Sequence, residues 1–369
     1  MIIFAQIYLF KFVVMRLLYD SQIFINQKTG GISRYHYELY KRMVQSGESA
    51  VISGRFIKNM YLLNDSNLKH SFFSDSTASF SFLNKLTIKK TVLKGNYDIF
   101  HPTIPCDYFV DLIPENKKVV LTIHDMIIEK QNPEAGATKR KLALRADKII
   151  TVSQATKNDV VEMWAIDEKK IEVIHLGSSL KPLSANNKNI ANIPSRYILY
   201  VGDRGGYKNF EKFAQAFVSV QKKENDLKMV VVGRPFSQVE KQYLSELNID
   251  NDVFIFSGIS DENLTYLYSN ATLFVFPSLC EGFGVPILET WTCNTPLALS
   301  DIPCFREVAG DGGCFFNPES VESMIDTICE ILSNETLKND LVKKGTERLK
   351  NFSWDKNHEQ TRSVYESIL

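Results

Sequence analysis

Along most of the chain, short apolar runs alternate with stretches in which apolar residues recur at three- and four-residue spacing. That alternation predicts strands joined by crossover helices, an α/β architecture on doubly wound parallel sheets. The runs at 16–20, 119–124, 148–152 and 171–174 read as strands of a first half. Those at 197–201, 228–232, 253–256, 273–276 and 296–299 read as strands of a second. Between the two sets KPLSANNKNIANIP, residues 181–194, is polar and ends on a proline, as a linker does. The expected division is an apolar extension at 1–14, a first domain at 15–182, a linker at 183–194, a second domain at 195–350 and a C-terminal helix at 351–369. At 369 residues the chain is long enough for two cores. A ligand crevice is expected beyond the carboxyl ends of the strands.

The stretch SLCEGFGVPILETW, residues 278–291, follows the apolar run 273–276. Glu281 to Val285 reads as a loop, and Pro286 suits the first position of a helix whose opening turn holds Glu289. Such a loop offers backbone N–H groups to an anion, yet two carboxylates repel a bare phosphate. A ligand that carries hydroxyls beside its phosphates, such as a sugar nucleotide, satisfies both features. The plain alternative makes Glu289 a partner of the helix dipole and Glu281 a surface residue. Elsewhere, Gly30 and Gly31 precede a helical pattern, and His124 and Asp125 end the strand VVLTI. YVGDRGGYKNF sets Arg204 and Lys208 in a glycine-rich loop suited to a diphosphate, without the GxxxxGK[ST] spacing of a P-loop. Asp250, Asn251 and Asp252 form a DxD pattern, but they precede a strand and are expected in an exposed turn.

Composition adds little: 44% hydrophobic and 23% charged residues describe an ordinary globular chain. Six cysteines without CxxC or Cys/His spacing point to neither a zinc site nor a disulfide framework, which fits a reducing cytoplasm. Charge is more telling. Residues 1–184 hold 25 Lys and Arg against 18 Asp and Glu, and residues 185–369 the reverse. Between Ser76 and Tyr97 there is no acid, while Lys85, Lys89, Lys90 and Lys94 interleave with Phe82, Leu83, Leu86, Val92 and Leu93. This predicts a basic amphipathic helix suited to an anionic membrane surface, or else a solvated helix face. The first fourteen residues are apolar but shorter than the ~20 needed to span a bilayer, and they lack a cleavage pattern. The preferred reading starts translation at Met15; a short membrane-touching segment is the alternative.

Taken in order, GGISRY at 30–35, HD at 124–125, ADKIITVS at 146–153, YVGDRGGYKNF at 200–210, SGISDENL at 257–264, the pair Glu281 and Glu289 with seven residues between, and SDIPCFREVAGDGG at 300–313 resemble one family. It is the retaining glycosyltransferases of GT-B fold, family 4, of bacterial O-antigen and capsule synthesis. The resemblance runs from about Met15 to the C-terminus and implies two Rossmann-like domains facing a central cleft, with the terminal helix bracing the first. It implies that Glu289 binds the nucleotide ribose and that Glu281 and His124 lie beside the donor sugar. The N–H groups of Phe283, Gly284 and Val285 approach the sugar and diphosphate. Arg204 and Lys208 then lie on the diphosphate, Gly30 and Gly31 cover it, and Gly258 and Ile259 meet the base. Tyr207 departs from the family, where an arginine often precedes the lysine; unless Arg204 fills that gap, the diphosphate has one cation fewer. The implied chemistry needs no metal and no cofactor: the acceptor hydroxyl attacks on the face that the nucleotide leaves, and its proton passes to the departing phosphate.

The expected donor is GDP-mannose or a related GDP-hexose, with UDP or dTDP sugars next. The expected acceptor is a lipid-diphosphate-linked saccharide at the inner face of the cytoplasmic membrane. No nucleic acid is expected. Competing readings are a noncatalytic sugar-nucleotide binder, a two-lobed solute receptor and a nucleotide-sugar epimerase of the same fold.

Overall fold

The apolar runs become two six-stranded sheets in the computed structural model, which describes residues 14–74, 78–183, 190 and 192–369. Nearly all of the apolar extension and most of the linker lie outside the described residues. The first sheet contains β1 (Arg16–Asp20), β2 (Ser49–Ser53), β3 (Ile99–Phe100), β4 (Lys118–Ile123), β5 (Lys148–Thr151) and β6 (Ile171–Val173), in the order β2-β1-β3-β4-β5-β6. The second contains β7 (Tyr197–Val201), β8 (Lys228–Val232), β9 (Val253–Phe256), β10 (Leu273–Phe276), β11 (Leu297–Ser300) and β12 (Cys314–Phe316), in the order β9-β8-β7-β10-β11-β12. The strand pairs with a recorded register are parallel, for example Arg16 with Ser49 and Lys228 with Tyr197.

Both orders reverse once. The reversal falls between β1 and β3 in the first sheet and between β7 and β10 in the second, and such switch points are where open sheets bind ligands. By its contacts the chain divides into two units: residues through Thr122 with Gly136–Ile149 and Gln360–Leu369, and Ile123–Ala135 with Ile150–Glu359.

The sequence pattern missed β2, β3 and β12. SAVIS leaves its first and third residues open to solvent, and the other two strands are only two and three residues long. In the second unit the sheet is buried by helices Phe210–Lys223 and Val321–Ser333, with Phe213, Phe217, Met229, Val231, Val275 and Ile328 fully enclosed. In the first unit the helix Ala78–Lys94 turns Asn84, Ile88 and Val92 inward at four-residue spacing, so Phe82, Leu83, Leu86 and Leu93 stay exposed among the lysines. The end of the helix Trp354–Glu366 is tied to the same unit: Tyr365 Oη lies 3.0 Å from Tyr19 Oη and 2.6 Å from His101 Nδ1.

Candidate active site

At the second switch point two loops are stitched together. The loop after β7 tightens into a turn at Gly206–Lys208 and reaches Asn209, whose left-handed φ of 57° starts the next helix. Asn209 Nδ2 donates to Pro277 O at 3.0 Å, and Leu279 N donates to Tyr207 O at 2.7 Å. Lys208 is therefore delivered to the loop after β10. Its Nζ donates to Glu281 Oε1 at 2.6 Å, and the buried Ser278 Oγ donates to the same oxygen at 2.8 Å. Burial alone lowers the pKa of the Lys208 ammonium, but the charge and hydrogen bond of Glu281 outweigh it, so the pKa is raised and the cation persists at neutral pH. Two N–H groups of Lys208 and the second oxygen of Glu281 remain for a ligand that carries phosphates and hydroxyls.

The rest of the loop is shaped by close packing. A Cβ on Gly282 would sit 1.7 Å from the carbonyl oxygen of His124, so only glycine admits this contact. Gly284 takes a φ of 95° and caps the helix Val285–Thr292, with Pro286 in its first turn as the sequence predicts. Glu289 follows in that helix and accepts a hydrogen bond from Tyr268 Oη at 3.1 Å. Burial first, and the nearby Glu289 carboxylate second, push the Tyr268 phenol well above its ordinary pKa, which keeps it a donor.

Two family models match the chain: "Glycosyltransferase Family 4" over residues 29–181 and "Glycosyl transferases group 1" over residues 184–348. Together they account for most of its length. The chain is a family 4 glycosyltransferase. It is similar to the O-antigen chain mannosyltransferase B of Escherichia coli, at 24% identity over 92% of this chain and 96% of that protein. It is also 32% identical to the O-antigen chain mannosyltransferase RfbU of Salmonella typhimurium, over 59% of this chain and 62% of the relative. Among solved structures, Alr3699/HepE of Anabaena in complex with UDP and glucose superposes with a TM-score of 0.78 at 16% identity, covering 96% of this chain and all of that one. Sucrose-phosphate synthase of Thermosynechococcus elongatus gives a TM-score of 0.76 at 18% identity, covering 96% and 99%. The fold is GT-B.

Of the site residues expected from the sequence, Lys208 and Glu281 are in contact and the His124 backbone is packed on Gly282, while Phe283, Gly284, Val285 and Glu289 follow along the same loop and helix of this family 4 enzyme. Arg204 needs a correction. Its side chain is 0% exposed, and Nε donates to Glu240 Oε1 at 2.8 Å while Nη2 donates to Pro235 O at 3.2 Å. Its guanidinium also lies over the ring of Phe236, 4.5 Å from the centroid. A group so committed does not reach into the gap left at Tyr207. Gly258 and Ile259 stand just beyond β9, where Gly258 has a φ of 63° and open surroundings. Gly30 and Gly31 open the helix Gly31–Gln45 in the other unit, with the side chain of Gln27 packed against Gly30.

The DxD pattern holds no metal-binding geometry: Asp252 is paired with Lys228 and Asp250 is exposed in a turn. Among the described residues no cluster of three His, Cys, Asp or Glu is placed to hold a metal ion. Sequence reasoning did not single out Ser278 or Tyr268. Ser278 lies three residues before Glu281 and was legible as a neighbour; the partnership of Tyr268 with Glu289 crosses 21 residues and left no local signal.

Proposed function

We propose that the chain transfers a hexose with retention from a nucleotide sugar to a lipid-diphosphate-linked saccharide in O-antigen or capsule assembly, and that the donor is GDP-mannose. The observation that carries this reading is the cluster at Glu281 Oε1, where Lys208 and Ser278 converge. Lys208 offers its free N–H groups to the leaving diphosphate and stabilises the charge that grows there. Glu281 accepts from sugar hydroxyls and Glu289 from the ribose. The acceptor hydroxyl passes its proton to the departing phosphate oxygen, so the reading needs neither a carboxylate acid–base pair nor a metal. The mannose choice is supported by the names of the E. coli and Salmonella relatives.

Work at the inner face of the cytoplasmic membrane belongs to the same proposal. Among the described residues no helix is long and apolar enough to cross a membrane. The support is the exposed row Phe82, Leu83, Leu86 and Leu93 flanked by Lys85, Lys89, Lys90 and Lys94, which offers apolar contact and positive charge to anionic lipid.

The test is nucleotide release from GDP-, UDP- and dTDP-linked sugars, with direct binding measured in parallel. Release from GDP-mannose alone is the expected result. Release from a UDP or dTDP sugar instead replaces the donor and keeps the enzyme class, whereas neither release nor binding with any donor removes the sugar-nucleotide reading.

A further inference from the structure

The helix Gln154–Trp164 spends its first N–H groups on the protein itself. Gln154 N and Ala155 N donate to the two carboxylate oxygens of Glu307 at 2.8 and 3.1 Å, and Thr156 N donates to Ser153 Oγ at 3.0 Å. This helix start is therefore no anion site; it holds the glutamate loop. Ser153 Oγ lies 2.6 Å from Gly282 O, and Thr156 Oγ1 lies 3.3 Å from the same oxygen. Ser153 has one hydroxyl hydrogen, and the Thr156 hydroxyl stands 3.1 Å away, so the shorter contact to Gly282 takes it. The Ser153 oxygen then accepts from Thr156 N while its hydrogen fixes the Gly282 carbonyl. Both side chains are buried, at 0% and 1% exposure, so water does not compete.

We infer that Ser153, assisted by Thr156, is a positioning residue for the donor site: by fixing the Gly282 carbonyl it aims the Phe283 N–H at the diphosphate and sugar of the donor. The peptide between Gly282 and Phe283 is planar and trans, so its N–H points away from its C=O. With the carbonyl held toward Ser153, the Phe283 N–H is held toward the opposite side of the loop. Two further contacts stop the unit from rotating. The His124 carbonyl fills the space beside Gly282, and the Phe283 ring, 3% exposed, has its centroid 5.8 Å from that of His175 and 5.9 Å from that of Phe352. A donor group fixed before the ligand arrives needs no reorganisation when charge develops on the leaving group. The inference rests on the proposed reading of this loop as the donor site.

Calorimetric titration of GDP, GMP, UDP and UMP into the full chain tests it, using wild type, Ser153→Thr and Ser153→Ala. Wild type is expected to prefer the diphosphate of its own base over the monophosphate. Ser153→Thr keeps that preference, because it retains the hydroxyl. Ser153→Ala loses about five- to tenfold of it, the share of one hydrogen bond, while monophosphate affinity stays within about twofold. Thr156→Val keeps the Ser153 cap and shows a smaller loss in the same direction, which covers the case where Ser153→Ala fails to fold. An unchanged preference in Ser153→Ala overturns the inference and leaves the donor site standing. Equal losses for mono- and diphosphate overturn it too, since Ser153 then only supports the fold. Absence of nucleotide binding in wild type removes the donor-site reading and this inference together.

Discussion

The two switch points obey one topological rule and are finished differently. At the first, between β1 and β3, the Asp20 carboxylate is 0% exposed and accepts from Gln22 N at 2.7 Å, Thr103 N at 2.7 Å and Thr103 Oγ1 at 2.8 Å. Among the described residues no cation is paired with it, and burial pushes its pKa up to about 6 against the opposing hydrogen bonds. At the second, between β7 and β10, the Glu281 carboxylate is paired with Lys208, and both side chains keep 13–19% of their surface in solvent. One crevice is sealed by the chain's own polar groups; the other keeps an accessible cation with spare donors. Topology locates both crevices, and only the side chains show which one suits an anionic ligand.

The strongest test of that contrast is Lys208→Ala. Removing one preorganised donor from a site where charge develops typically lowers kcat by about 10²- to 10³-fold, or about 2.7–4 kcal/mol. Turnover with the proposed donor, GDP-mannose, is expected to fall by that factor while the melting temperature moves little. Normal turnover in the folded variant would strip Lys208 of its role and make the second switch point as inert as the first.

Asp20→Asn probes the sealed crevice. A folded-state pKa raised from 3.8 to about 6 means that the carboxylate's contribution is fully present below about 3.8 and is lost as pH rises through about 6. Asparagine does not titrate. The stability of wild type relative to the variant should thus decline between pH 4 and 6 and level off above, by about 3 kcal/mol at most. Urea denaturation across that range measures it, and a pH-independent difference would show that Asp20 is not strained by its burial. Turnover is expected to be unaffected.

How legible these features were depended on their range in the sequence. The EGFG loop and the helix after it are local, and the structure starts that helix at Val285, one residue before the Pro286 start that the pattern implies. Half-exposed β2 and the short strands β3 and β12 did not announce themselves, whereas three-residue β6 did, within the apolar run 171–174. The fate of a cation is another matter. Arg204 and Lys208 sit four residues apart on one loop with the same formal charge, and only distant partners, Glu240 and Glu281, decide which is withdrawn and which is presented. Such pairings, like Tyr268 with Glu289 and Ser153 with Gly282, carry no periodicity and have no signature short of the fold.

Glu240→Gln sharpens the contrast inside the second switch point itself. Burial alone raises the Glu240 pKa, but the Arg204 guanidinium and the Ser237 N–H outweigh it and bring it down to about 2. A depressed carboxylate stabilises the fold above its unfolded value near 4.5, and this stabilisation is lost as pH falls toward 2. Glutamine keeps an acceptor for Arg204 but not the charge, and hydrogen bonds to charged groups contribute about 1.5–3 kcal/mol, so a loss of about 2 kcal/mol is expected at pH 7. That loss should narrow as wild type and variant are compared at pH 4 and then pH 3, because wild type surrenders the same interaction to protonation. Diphosphate affinity gives the second readout. If Arg204 serves only as a buried brace, the variant binds GDP or UDP as wild type does once corrected for the unfolded fraction; tighter binding would mean that a guanidinium freed from Glu240 swings toward the gap at Tyr207 and that the withdrawn cation is held in reserve.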